Sequence, residues 1–147
     1  MTNTTYRTDF YAWTQEQAAL LEAEEVEKLD LANIKEEIES MGISQRKELA
    51  SRFTVLLMHL LKWQEQPGYK GRRPNSWRNT IRTQRREIDL LLVYSPSLRR
   101  QVPDFIADAY PRARKEAAGE TRIPLARFPD DCPWTVEEIL DEDWLPG

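Results

Sequence analysis

Apolar positions along this chain of 147 residues recur at three- and four-residue spacing, the pattern of helices with one buried face. In the first such segment, about 9 to 23, Phe10, Trp13, Gln17, Leu20 and Leu21 align. The next opens at Asp30, a residue suited to an N-cap, and carries Leu31, Ile34, Ile38 and Met41. Gly42 then predicts a C-terminal stop, and Ser44 the cap of a third helix reaching about Gln66. Leu49, Phe53, Leu56, Leu57, Leu60 and Leu61 face one way there. Val55 and Met58 extend the apolar surface, which places this helix at the centre of the fold.

Pro67 and Gly68 end that helix, and residues 67 to 75, PGYKGRRPN, read as a loop. A fourth helix starts at Ser76, with Trp77, Ile81, Ile88, Leu91 and Leu92 inward. Ser95 and Pro96 open a fifth over 96 to 119, where Pro103 and Pro111 each remove a backbone donor and predict a kink or break. The proline-rich remainder, 120 to 147, predicts an extended wrap. It ends in a short helix capped by Thr135 with Glu138 three residues on, anchored by Phe128, Trp134, Leu140 and Trp144. The expected fold is therefore all-α: one domain over 1 to 147, a bundle of about five helices across 9 to 119, then the wrap.

Composition agrees, with only 5 glycines and no β-type alternation. The longest apolar run, 55 to 61, is too short to span a bilayer, and the polar start MTNTTYRTDF lacks a signal-peptide core. Cys132 is the only cysteine, so neither a disulfide framework nor a cysteine metal site is expected, and a reducing, cytoplasmic setting follows. No cofactor is expected: the carboxylates at 36, 37 and 39 do not share a helix face, and Asp130, Asp131 and Cys132 read as a turn.

Charge changes the picture more. Residues 1 to 45 carry ten acids against three bases, 46 to 119 seven against sixteen, and 120 to 147 eight against two. Acidic ends around a basic middle serve either internal neutralisation or a polyanion-binding surface. Residues 70 to 86, KGRRPNSWRNTIRTQRR, hold seven bases and no acid. With Trp77, Arg78 and Arg85 facing inward, Lys70, Arg72, Arg73, Arg82 and Arg86 are the nucleic-acid contact candidates.

Four polar residues lean toward the apolar faces: Glu37, His59, Arg78 and Arg85. Buried charge needs partners, so they predict an internal network in which Glu37 accepts from Arg78 or Arg85 with His59 nearby. Arg52 and His59 also share a face seven residues apart, a spacing similar to the active site of HEPN-type ribonucleases. There a histidine exchanges protons while an arginine stabilises phosphate charge, without metal. The competing reading of His59 is a satisfied core histidine.

Several phrases together, DFYAWTQEQAALL, LANIKEEIESMG, LLMHLLKWQEQP, SWRNTIRTQRREI, SPSLR and FPDDCPWTVEEILDEDWLP, resemble the bacterial domain of unknown function family 29 of cyanobacteria and proteobacteria. The resemblance runs from about Tyr6 to Pro146. It implies an all-helical single-domain protein and carries no activity. The resulting expectation is a non-enzymatic interaction or regulatory module, contacting a protein partner, a second copy or nucleic acid. A metal-independent ribonuclease using Arg52 and His59 is the alternative.

Overall fold

The computed structural model describes residues 5–65 and 75–147. These residues form six α-helices and no strand: α1 Thr5–Thr8, α2 Phe10–Glu22, α3 Leu31–Glu65, α4 Asn75–Tyr94, α5 Val102–Thr121 and α6 Val136–Leu140. Short 3-10 turns lie at Val26–Lys28, Pro96–Gln101 and Leu125–Arg127. The chain is all-α. It divides into two compact units, Met1–Ser44 and Gln45–Gly147.

Helix α3 corrects the sequence reading at Gly42, where a stop was expected. The helix continues through Gly42 and Ser44 for 35 residues. Glycine costs a helix interior only about 1 kcal/mol against alanine. Here Glu36, Glu39, Met41, Gln45, Lys47 and Glu48, all good helix formers without an intervening proline, outweigh that cost.

In the first unit, the Asp9 carboxylate caps α2 by accepting from the Ala12 amide at 3.0 Å. The helix ends where Glu24 takes a left-handed φ of 58°, and the Glu25 amide returns to the Leu20 carbonyl at 2.9 Å. Asp30 then ties α2 to the start of α3. Its carboxylate accepts from the Trp13 indole at 3.0 Å and from the Asn33 side-chain amide at 2.7 Å. Its backbone amide donates to the Gln17 side chain at 2.8 Å. Tyr6 meets the edge of Trp13 at 4.8 Å between ring centres, and Phe10 stacks on Trp13 at 5.6 Å.

The second unit holds the hydrophobic core. Leu49, Phe53, Leu56, Leu57, Leu60 and Leu61 are fully buried, as their shared face predicts. Phe53 stacks against Phe105 of α5 at 6.4 Å, and Ile81, Ile88 and Leu92 of α4 close the cluster. The expected fifth helix is a 3-10 turn leading into α5, so Pro103 falls in the first turn, where no donor is needed. Pro111 lies inside α5 on its exposed side, and the helix runs on past it without a break.

The C-terminal wrap is laid over all three long helical segments of this unit. Arg114 of α5 donates to the carbonyls of Leu125 and Phe128 at 3.0 and 3.1 Å, and the Tyr110 hydroxyl donates to Pro129 at 2.6 Å. The Trp134 indole reaches Gln64 of α3 at 3.2 Å. Thr135 and Glu138 form the expected reciprocal capping box of α6. Ile139, inside α6, is the fully buried anchor together with Phe128, while Trp134, Leu140 and Trp144 are half-buried.

Candidate functional site

The four residues expected to converge each take a different partner. Glu37 belongs to the first unit and accepts from the Tyr6 hydroxyl at 2.5 Å. That bond, followed by burial, pushes the Tyr6 phenol up to about 12. His59 bonds the Val55 carbonyl one turn back at 2.9 Å. The Arg78 guanidinium lies over the Trp63 ring, 5.4 Å from its centre, a cation–π contact. Arg85, only 3% exposed, donates to the carbonyls of Ile139 at 2.8 Å, Trp144 at 2.7 Å and Glu138 at 3.3 Å.

Glu37 and His59 are each satisfied locally, by the Tyr6 hydroxyl and the Val55 carbonyl. Of the two arginines offered to Glu37, Arg85 holds the wrap and Arg78 lies over Trp63. Burial lowers the Arg85 pKa, and Asp141, Asp143 and Glu142 work against that shift.

Arg52 and His59 point to separate surroundings. The Arg52 guanidinium turns back one helical turn to Glu48 at 3.0 Å and across to Gln84 and Glu87 of α4 at 3.3 and 3.8 Å. His59 is half-buried beside Lys62 and Glu120. Its Nδ1–H donates to Val55, which leaves Nε2 as the acceptor of the neutral ring. Lys62 itself is buried, paired with Glu120 at 2.8 Å and placed 4.9 Å from the Trp77 ring centre.

Of the basic candidates, Lys70, Arg72 and Arg73 lie outside the described residues. Arg82 and Arg86 are exposed on α4, and Arg86 pairs with Glu142 at 3.0 Å. Arg78, Arg82 and Arg85 line a small cleft of about 110 Å³, closed on the other side by Glu142, Asp143 and Leu145. Among the described residues, no group of three or more His, Cys, Asp or Glu side chains is placed to hold a metal ion. No helix there is long and apolar enough to cross a membrane.

The surface that sequence reasoning missed is in the first unit. Leu31, Ile38 and Met41, expected to be buried, are 62%, 59% and 63% exposed. Phe10, Leu21 and Ile43 are exposed as well. Among the described residues of this unit, only Trp13 and Gln17 are buried. The narrow repeat at 31, 34, 38 and 41 held the signal. It is the two-per-heptad seam of a helix that pairs with another helix, narrower than the stripe of a globular core helix. Its setting is acidic, since the chain up to residue 45 carries ten acids and three bases.

The fold and surface define an all-helical protein with an uncovered, acidic, apolar helix face. Residues 5–145 match the family described as Domain of unknown function DUF29, and the chain belongs to that family. Neither the curated proteins nor the solved structures supply a match.

Proposed function

We propose that this protein is a non-enzymatic interaction module, and that the face carrying Leu31, Ile38 and Met41 is its docking surface for protein. One observation carries the reading: among its described residues the first unit buries a single hydrophobic side chain, Trp13, while Leu31, Ile38 and Met41, along one side of α3, stay in solvent. Apolar surface clustered in this way marks an interaction site on soluble proteins. Helix-in-groove or helix-on-helix recognition uses the same three- and four-residue spacing.

The exposed arginine side of α4, with Arg78 and Arg82 beside the small cleft, is the second contact surface in this reading and suits a polyanion such as nucleic acid. Binding there weakens steeply with added salt, as phosphate contacts do.

The test compares the full chain with its Ile38→Glu variant in partner capture from the source cells. Retention of the same proteins by both would overturn the docking surface. In parallel, RNA cleavage that the chain performs and His59→Ala abolishes would establish an enzyme in place of a module.

A further inference from the structure

Three exposed arginines, Arg78, Arg82 and Arg86, recur at every fourth residue of α4, about 6 Å of rise apart. Arg85 stands among them but is buried, its guanidinium committed to the carbonyls of Ile139, Trp144 and Glu138. Those bonds bring one short segment of the wrap onto the arginine row. Its residues Asp141, Glu142 and Asp143 are all exposed. The Glu142 carboxylate accepts from Arg86 Nε at 3.0 Å. Glu142 and Asp143 also form the far wall of the cleft that Arg78, Arg82 and Arg85 line.

This acidic turn is anchored by its flanks and not by its own charges. Ile139 is fully buried on one side. On the other, Pro146 is buried and Trp144 meets the edge of Trp134 at 5.9 Å between ring centres. The Asp143 amide donates to the Asp141 carboxylate at 2.9 Å, which closes the turn. The Arg86–Glu142 pair, by contrast, is 67% and 55% exposed. An ion pair in that setting adds little stability and is screened by salt. The fold therefore holds the backbone of the turn firmly and leaves the Glu142 carboxylate free to exchange.

The cleft of about 110 Å³ is too small for a cofactor-sized ligand, whose sites begin at about 300 Å³. A row of exposed guanidiniums suits instead a chain of phosphates running along the surface. Resting on the reading of α4 as a polyanion surface, we propose that Glu142 and Asp143 are an internal counter-charge that competes with nucleic-acid phosphate for the Arg78–Arg82–Arg86 row. The wrap stays docked through the backbone carbonyls that Arg85 holds, while the carboxylates give way to phosphate. The acidic turn thereby sets the affinity of the row without any unfolding of the wrap.

Fluorescence anisotropy of a labelled oligouridine at low salt, titrated with the full chain, tests it. The double variant Glu142→Gln, Asp143→Asn is expected to bind about tenfold more tightly than the wild type, because two competing charges are gone. Both residues are exposed, so circular dichroism is expected to show unchanged helix content. Adding Arg82→Gln to the double variant is expected to abolish the gain. A control, Glu16→Gln with Glu22→Gln, makes the same change in net charge at exposed positions of the first unit. It is expected to leave affinity within about twofold of the wild type. Equal binding by wild type and double variant would overturn the counter-charge; if Arg82→Gln then weakens both, α4 stands as the nucleic-acid surface. A gain that the control reproduces, or that survives Arg82→Gln, would also overturn it. Absence of binding by either protein would end the polyanion reading of α4 and the counter-charge with it.

Discussion

The Arg85 guanidinium on α4 donates to the Trp144 carbonyl at 2.7 Å, joining residues 59 apart in sequence. With Ile139 and Glu138 it forms a fan of charge-assisted bonds to the backbone of the wrap. Truncation to Ala would strand these carbonyls beside a cavity. Hydrogen bonds from a charged donor are each worth about 1.5–3 kcal/mol and do not add fully, so Arg85→Ala is expected to destabilise by about 3 kcal/mol. Arg85→Lys should recover only part of this, because one ammonium cannot reproduce the planar fork. Urea denaturation gives the magnitude, and hydrogen exchange should localise the loosening to 136–147. Uniform exchange in both proteins would contradict the strap.

Gly42 is the weakest link of α3 and has room to change. A Cβ built there meets no atom within 4 Å, and the residue is exposed inside the helix. Gly42→Ala is therefore expected to stabilise by about 0.5–1 kcal/mol through the lost freedom of the unfolded chain. A thermal melt that drops would show that the backbone at Gly42 is not helical.

His59 makes stability depend on pH in a defined direction. Burial holds its pKa below the ordinary 6.5, Lys62 adds to the shift, and the Val55 carbonyl and Glu120 oppose it. A depressed histidine pKa means the unfolded chain binds the proton more readily. The stability contribution is complete above about 6.5 and is lost as pH falls through the folded value. His59→Gln should remove that slope. The chain has 1 histidine, so a single imidazole titration by NMR reads the folded pKa directly; a midpoint above 6.5 would contradict the burial.

Asp30 links capping to acid sensitivity. Its carboxyl is held below the usual range, chiefly by the Asn33 side chain and then by the Trp13 indole, with burial working against them. Its contribution is present above the unfolded value of about 3.9 and disappears as pH falls through the folded one. Asp30→Ala is expected to cost about 1 kcal/mol at neutral pH for the cap alone. The difference between the two proteins should close below pH of about 4. A gap that persists in acid would place the loss in packing and not in the carboxylate.

We also expect residues 1–147 to behave as one domain. Helix α3 contributes to both compact units, which couples their unfolding. Far-ultraviolet ellipticity and tryptophan emission should then report one transition, since coincident probes are the mark of a two-state domain. Separate midpoints would assign the units independent stability.

Much of the local structure was legible in the residues. The Thr135–Glu138 box caps the helix it was expected to cap, and the first helix begins beside Asp9 as expected. The stripe from Leu49 to Leu61 is the core. Gly42 misled because a lone glycine signals a helix end only where the following residues also disfavour helix. Leu31, Ile38 and Met41 misled because periodicity identifies a face without saying whether anything covers it. Family membership was likewise legible, from phrases spread over nearly the whole chain.

Helix class and the identity of the apolar faces depend on interactions within four residues, and the sequence by itself determined them. Tertiary structure alone decided which apolar face is buried and where each long polar side chain ends. A guanidinium such as that of Arg85 takes whatever carbonyls the fold brings within hydrogen-bond reach, and those at Glu138, Ile139 and Trp144 come from 53 to 59 residues away. Glu37 was likewise taken by the Tyr6 hydroxyl, 31 residues away in sequence, a pairing that no local pattern announces.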